Sequence, residues 1–293
     1  MTDVVLRDAA WRVRVQPRLG GSLAACEFRD QTILASVREP APWPGAELCY
    51  YPLVPFGNRI ANSRFTFDGR EISLEPNLRD YPHAIHGQGW QAEWQVVDAS
   101  PTACEIAFEH TSSARWPWDY SATQTFAIAT KALVVSLTLR NRSAIRMPAG
   151  LGFHPFFPQS DLARLTSSAA GLWSGDAAEF PRRMGRVPPA FDFARGRPVR
   201  DARGLDRCYS GWRRRAEIDW PAAAYRVAIA AEEPLAHMML YVPRDRGFFC
   251  VEPVSHVVDA LNFASGHPNA MLALEPGQEL SASMTLTADS SAT

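Results

Sequence analysis

The chain has 293 residues, 30 Lys and Arg against 31 Asp and Glu, a formal net charge of −1 and a hydrophobic fraction of 46%. A charge this close to zero excludes the basic footprint of a general nucleic-acid binder or of a protein attracted to anionic membranes. No apolar run is long enough to span a bilayer, and the start, Met1 to Arg7, lacks the apolar core of a signal peptide, so a cytoplasmic protein without membrane partners is expected.

The length suits one all-β domain over residues 1–293, because sandwiches and barrels reach this size as single units. The five cysteines, Cys26, Cys49, Cys104, Cys208 and Cys250, are odd in number, scattered and without a CxxC pair. They are expected as reduced packing residues, neither a disulfide frame nor a zinc site, with a reactive Cys208 as the alternative.

Trp11, Val13 and Val15 alternate with Arg12, Arg14 and Gln16, which predicts a half-buried strand. Gly20-Gly21 turns it and Ser22 to Phe28 returns. A proline-rich loop, Pro40 to Pro44, carries Trp43. Tyr51 to Asn62 holds two prolines and a glycine, which forbid a regular helix. Arg59 in this loop is a candidate guanidinium fork for hydroxyl or carboxylate oxygens, or equally the staple of a salt bridge. Arg64 to Leu74 alternates about Asp68-Gly69, a hairpin signal.

His83-Ala84-Ile85-His86-Gly87-Gln88-Gly89-Trp90 predicts a loop whose backbone can approach a ligand. His86 is a candidate polar contact there. Trp90 and Trp94 are candidate platforms for a sugar ring, or core tryptophans. His83 with His86 as a metal pair lacks a third ligand at a recognisable spacing.

Thr102 to Phe108, Ser121 to Ala129 and Ala132 to Arg140 predict strands, with the aromatic loop Trp116 to Tyr120 lining a pocket or covering an edge. Gly150 to Pro158 sets His154 among glycine, proline and three phenylalanines. Such a histidine is a general-acid candidate or a core histidine satisfied by a carbonyl. Residues 159–200 are expected as surface loops. Asp206 follows a glycine turn and either binds hydroxyls or caps that turn. Arg213-Arg214-Arg215 is expected as a solvated face.

Tyr225 to Ala231 and His237 to Val242 predict strands leading to Gly247-Phe248-Phe249-Cys250-Val251-Glu252-Pro253. This apolar run ends in a carboxylate. Proline has no N–H for a sheet, so Glu252 is expected at the strand's end, on one face with Cys250 and Phe248. Apolar company raises a carboxyl pKa and tunes it for proton exchange, whereas a water-facing or arginine-paired glutamate would stay ordinary. Met271 to Leu274 and Leu280 to Leu286 are expected to form a closing hairpin about Pro276-Gly277. Helical periodicity is nearly absent. No phosphate loop and no GxSxG elbow occurs, which leaves ATP chemistry and the common serine-hydrolase arrangement without support.

Several motifs occur in one order: Asn58-Arg59-Ile60 leading into Phe65 to Gly69, Ile85-His86-Gly87, Gly152 to Phe157, Leu205-Asp206, and Val251-Glu252-Pro253 with Asp259 and Asn262. In that order and spacing the chain resembles the aldose 1-epimerases, the galactose mutarotase-like proteins, from about Pro55 to the final hairpin. The resemblance implies a large antiparallel β-sandwich, the galactose mutarotase-like supersandwich, with few short helices and an open sugar cleft. It implies Glu252 as general base, His154 as general acid, and Arg59, His86 and Asp206 as binders of sugar hydroxyls. The reaction opens and recloses a sugar ring, which needs one proton removed and one delivered, and no cofactor or metal. The expected partner is a small-molecule sugar, and the expected state a monomer or homodimer.

The chain departs from the family pattern at Gly87-Gln88-Gly89-Trp90, where a double glycine is usual, and at Val254-Ser255-His256. These departures mark a divergent branch. His256 is expected as an added polar contact or as support behind the site. Arg79, just upstream of His86, either meets an acidic group on a modified sugar or is an exposed loop arginine. A non-catalytic carbohydrate-binding or sugar-sensing protein is the alternative, since fold does not fix function. A glycoside hydrolase using Asp206 and Glu252 would leave the histidine loop unexplained.

Overall fold

The computed structural model describes residues 3–38, 43, 45–174, 180–264 and 267–290. Strand makes up 53% of the chain and helix 7%, the latter only as single 3-10 turns among the described residues. An 11-stranded and a 9-stranded sheet, both antiparallel, carry the architecture. The fold is the large antiparallel β-sandwich that the motif order implied.

The 9-stranded sheet shows alternation in its cleanest form. Tyr120–Ala129 and Ala132–Asn141 bury every second residue, so Ala122, Gln124 and Phe126 point inward beside Leu133, Val135, Leu137 and Leu139. Its other face is solvated, as one-sided antiparallel sheets are. The 11-stranded sheet is different. Its central strands Gly152–Pro158 and Phe248–Val254 are buried on both faces. Phe153, Phe157, Phe249 and Val251 join the core between the sheets. Phe156, Phe248, Cys250 and Val254 join a second cluster, with Tyr51, Trp90, Cys208 and Met239, on the opposite face. Two-sided burial explains why both segments read as continuous apolar runs.

A polar clamp ties the two sheets together. Gln124 is fully buried, accepts a hydrogen bond from the Tyr50 hydroxyl at 2.8 Å and donates to the Gly21 carbonyl at 3.1 Å. Tyr50 in turn stacks on Phe153, the residue before His154.

Many strands lie where the alternation placed them, including Trp11–Gln16, Ser22–Phe28, Tyr225–Ala231 and His237–Val242, and the Arg64–Phe67 and Arg70–Ser73 hairpin. The five cysteines are buried and none is in a disulfide. Burial pushes the Cys208 thiol up, which disfavours the reactive thiolate. Pro40, Ala41, Pro42 and Pro44 of the proline-rich loop lie outside the described residues.

Three expectations need correction. The closing hairpin does not form: Leu272–Leu274 pairs with Met147–Ala149, while Glu279–Ser290 runs between Ala132–Asn141 and Tyr225–Ala231. The last strand is long enough to span the sheet, and the Pro276-Gly277 turn only delivers it. Residues 159–200 are more than surface loops. Arg164–Ser167 and Gly171–Ser174 are sheet strands that bury Leu165, Leu172 and Trp173. Nor does the Glu252 strand stop at Pro253; it continues to Val254, with Pro253 opposite Met238.

Gln124→Leu would orphan the Tyr50 hydroxyl and the Gly21 carbonyl, at roughly 1–3 kcal/mol for each group left unpaired. Urea denaturation is expected to show a lower midpoint with an unchanged slope.

Candidate active site

Sheet register assembles the site. Gly152 pairs with Val254 and Phe156 with Cys250, so the intervening register sets His154 opposite Glu252. On the flanks His154 pairs with Tyr51, and Glu252 with Met239, which pairs with Cys208. The next row along the same face runs Asp206, Tyr241, Cys250, Phe156. A cavity of about 210 Å³ opens on these rows, lined by Tyr51, Asn58, Arg59, Ile85, His86, His154, Phe156, Asp206, Tyr241 and Glu252. All five residues Arg59, His86, His154, Asp206 and Glu252 therefore meet in one place, from loops and strands distant in sequence.

His154 and Glu252 form the floor. His154 Nε2 lies 3.4 Å from Glu252 Oε1, and the two side chains are only 8% and 4% exposed. The imidazole stacks against Tyr51, with ring centroids 4.4 Å apart, and against Phe156 at 4.8 Å. Burial lowers its pKa to about 3. Its Nδ1 is buried without a hydrogen-bond partner. Burial, and then the Asp206 charge, push the Glu252 carboxyl well above its ordinary value, against the opposing pull of Arg59. Both shifts favour the neutral forms, imidazole and carboxylic acid, over the ion pair.

Arg59 forms a wall, held on several sides. Its Nη2 and Nη1 reach Asp206 Oδ2 at 3.2 and 3.3 Å, its Nε donates to the Tyr81 hydroxyl at 2.7 Å, and Nη1 also donates to Asn58 Oδ1 at 3.2 Å. The Arg59–Asp206 bridge is partly exposed, 19% and 32%, so both groups stay within reach of a ligand. The Arg59 carbonyl accepts from the Asp259 N–H. Asp259 is itself fixed: Oδ1 accepts from the Ala61 N–H and the Asn262 amide, and Oδ2 pairs with Arg182 at 2.6 Å.

His86 sits in a left-handed conformation, φ 60°, ahead of Gly87 at φ 69°. A Cβ on Gly87 would lie 2.2 Å from the Val54 carbonyl oxygen, so this close approach requires glycine. His86 Nδ1 accepts from the Asn58 N–H at 3.1 Å, which leaves the hydrogen on Nε2 as the donor available to a ligand. Burial, and then His154 and Arg59, hold its pKa well below 6.5. His83 Nδ1 likewise accepts a backbone N–H, that of Asn62, so the two histidines are loop anchors and not a metal pair.

The structure removes three expected contacts from the cavity. Arg79 is 95% exposed on a loop beside Asp80. Trp90 is buried behind His86 and Tyr51, and its Nε1–H donates to the Gly87 carbonyl. Trp94 is a core residue that donates to the Gly89 carbonyl. His256 is a brace. Its Nε2 accepts from the Gly57 N–H at 3.0 Å, its Nδ1–H donates to the Val257 carbonyl at 2.8 Å, and a Cβ on Gly150 would strike its ring. Sequence reasoning missed Tyr51, Asn58, Ile85, Phe156 and Tyr241 as lining residues, and Tyr81 as the partner of Arg59. For Tyr241 the signal was its place in an alternating strand; Tyr81 carried none.

Comparisons with known proteins show the family and the fold. The family model for aldose 1-epimerase matches residues 4–287, and the chain belongs to that family. The uncharacterized protein YphB of Escherichia coli (strain K12) is 32% identical over 247 residues, covering 80% of this chain and 82% of that protein. A crystal structure of a candidate aldose 1-epimerase from Escherichia coli K12 superposes with a TM-score of 0.88 at 28% identity over 99% of both chains. A galactose mutarotase-like protein from Clostridium acetobutylicum shares the fold, with a TM-score of 0.84 at 16% identity over 98% of this chain and 95% of that one. No helix among the described residues is long and apolar enough to cross a membrane.

Five histidines have lowered pKa values, to about 3 for His154, about 4 for His237 and His256, well below 6.5 for His86 and below 6.5 for His110. Between 6.5 and those values the unfolded chain binds protons that the folded chain refuses, so stability falls as pH falls through this window. Glu252 acts in the opposite sense, since its raised pKa penalises the fold as pH rises. Five groups outweigh one, so Tm is expected to drop between about pH 7 and about pH 4.5, with a shallower drop in His256→Gln.

Proposed function

We propose that the protein is a mutarotase, interconverting the α and β anomers of an aldose by acid–base ring opening. One observation carries this reading: His154 and Glu252 lie 3.4 Å apart on the floor of a cavity walled by Arg59, His86 and Asp206. Family membership supports the same reaction class.

In this reading the cyclic sugar lies over the pair, with hydroxyls on Arg59, His86 and Asp206. Glu252 takes the proton from the anomeric hydroxyl as His154 gives one to the ring oxygen. The bond from C1 to the ring oxygen breaks, leaving the open-chain aldehyde. Rotation about C1–C2 turns the other carbonyl face to the ring hydroxyl, and closure returns both protons by the reverse route. No net proton is consumed. With Glu252 as base and His154 as acid, the carboxyl proton crosses from Glu252 to His154 once sugar is bound. A sugar hydroxyl donating to the carboxylate and a ring oxygen accepting from the imidazolium favour that transfer. Each positioned acid or base contributes about 10²–10⁴-fold.

The cavity is sized for a single sugar ring. Its arginine is already committed to Asp206, and Arg79 is remote, so these residues no longer favour a charged sugar. We read the substrate as a free aldose, the partner as that small molecule alone, and the compartment as the reducing cytoplasm that five unbridged cysteines suit.

Exchange NMR on the anomeric protons of a panel including glucose, galactose, arabinose, fucose and a hexose 6-phosphate tests the reading. Accelerated exchange is expected, and it names the sugar. Line broadening without accelerated exchange would instead favour the sugar-binding alternative. Glu252→Gln is expected to lower kcat/KM by about 10²–10⁴-fold in a folded protein; a wild-type rate would remove Glu252 from the mechanism.

The pH profile follows from the single proton of the neutral pair. A second proton, added to His154 with its pKa of about 3, disables the pair at low pH, and loss of the proton from Glu252 disables it at high pH. In initial-rate polarimetry kcat/KM is expected to show no fall around 6.5, where an ordinary histidine titrates.

A further inference from the structure

Among the described residues one group of three metal-ligating side chains converges, and it contains a residue the proposed reaction does not use. His154, Cys250 and Glu252 each present a ligand atom, all within 4.8 Å of one another, and all three residues are buried. The triangle is built by the backbone. Cys250 and Glu252 are two apart on one strand and share its cleft-side face, and His154 stands opposite Glu252 on the neighbouring strand. Cys250 is fully buried, with Phe156 and Tyr241 as its cross-strand neighbours.

We propose that these three residues form an inhibitory site for a thiophilic divalent cation of the zinc class, bound by Cys250 Sγ, His154 Nε2 and a Glu252 carboxylate oxygen. Sulfur, imidazole and carboxylate together are a donor set for zinc or cobalt and a poor one for magnesium or calcium, which take oxygen ligands. Zinc–ligand bonds of roughly 2.0–2.3 Å give ligand–ligand separations somewhat under those seen, so a small inward movement of the side chains closes the site. A fourth position remains open toward the cleft. Binding displaces the carboxyl proton of Glu252 and the thiol proton of Cys250. The metal occupies the atoms that would move protons on the sugar, so metal and sugar exclude one another. The inhibitory consequence rests on the proposed mutarotation; metal binding itself does not.

Cobalt(II) titration of the full chain tests the site without reference to activity. A thiolate ligand gives an intense near-ultraviolet charge-transfer band. The band is expected in the wild-type protein and in Cys208→Ala, and absent from Cys250→Ala, while magnesium gives no competition and zinc displaces the cobalt. Zinc is further expected to inhibit anomer exchange in the wild type competitively with sugar, and at least ~10-fold less effectively in Cys250→Ala. No band in the wild type would overturn the proposal, and this readout does not depend on the folding of any variant. A band that survives in folded Cys250→Ala would overturn it too. A band with the expected dependence in a protein without anomer exchange would leave the metal site standing and remove the mutarotase reading.

Discussion

The structure depends on one constraint: the central strands of the larger sheet are buried on both faces. A strand with one wet face can hold charged groups at no great cost. Here the strands bearing His154 and Glu252 have the sandwich core beneath them and an aromatic cluster of Tyr51, Trp90, Phe156 and Phe248 beside the cleft. Neither the imidazolium nor the carboxylate is at ease in that setting. Burial therefore favours a neutral imidazole beside a neutral acid. Proton exchange with a bound hydroxyl then becomes feasible, because neither partner is locked into its charged form. Prolines at 155 and 253 fall within the stretch where direct pairing of these strands is interrupted, the same stretch that carries His154 and Glu252.

The cleft wall obeys the opposite rule. The Arg59 guanidinium is matched by Asp206, while its Nε donates to Tyr81 and its Nη1 to Asn58. Its loop is pinned from behind by Asp259 and, through Gly57, by His256. A guanidinium held this firmly gives up little rotamer freedom when a ligand arrives, which favours binding by preorganisation. His86 uses the same device, with Nδ1 on a backbone amide to orient the ring. A neutral pair on the floor and a fixed ion pair on the wall suit an uncharged ligand rich in hydroxyls.

Much of this was legible in the sequence because it rests on period-two alternation and on unusual residues in unusual company. Glu252 at the end of an apolar run and His154 among phenylalanines stand out as local contradictions, and such contradictions mark sites. The shared face of Phe248, Cys250 and Glu252 followed from strand geometry alone. What stayed hidden was non-local. Whether Leu272–Leu274 pairs with the strand after it or with Met147–Ala149 is decided by the whole sheet, which local turn chemistry cannot report. Arg79 lies near His86 in sequence, yet a turn through Asp80 at φ 58° precedes the return to the cleft and leaves it in solvent. Trp90 was correctly seen beside the histidine loop, but a tryptophan that supports a histidine and one that faces a sugar have the same sequence signature.

The central claim is that burial beside Glu252 keeps the His154 imidazole neutral. Nitrogen-15 NMR of the histidine side chains, with His154 assigned by its absence in His154→Gln, measures this directly. The account predicts a neutral imidazole for His154 from about pH 8 down to about pH 5, with no titration at the ordinary histidine value. A His154 signal that becomes imidazolium near 6.5, the ordinary value, would contradict it.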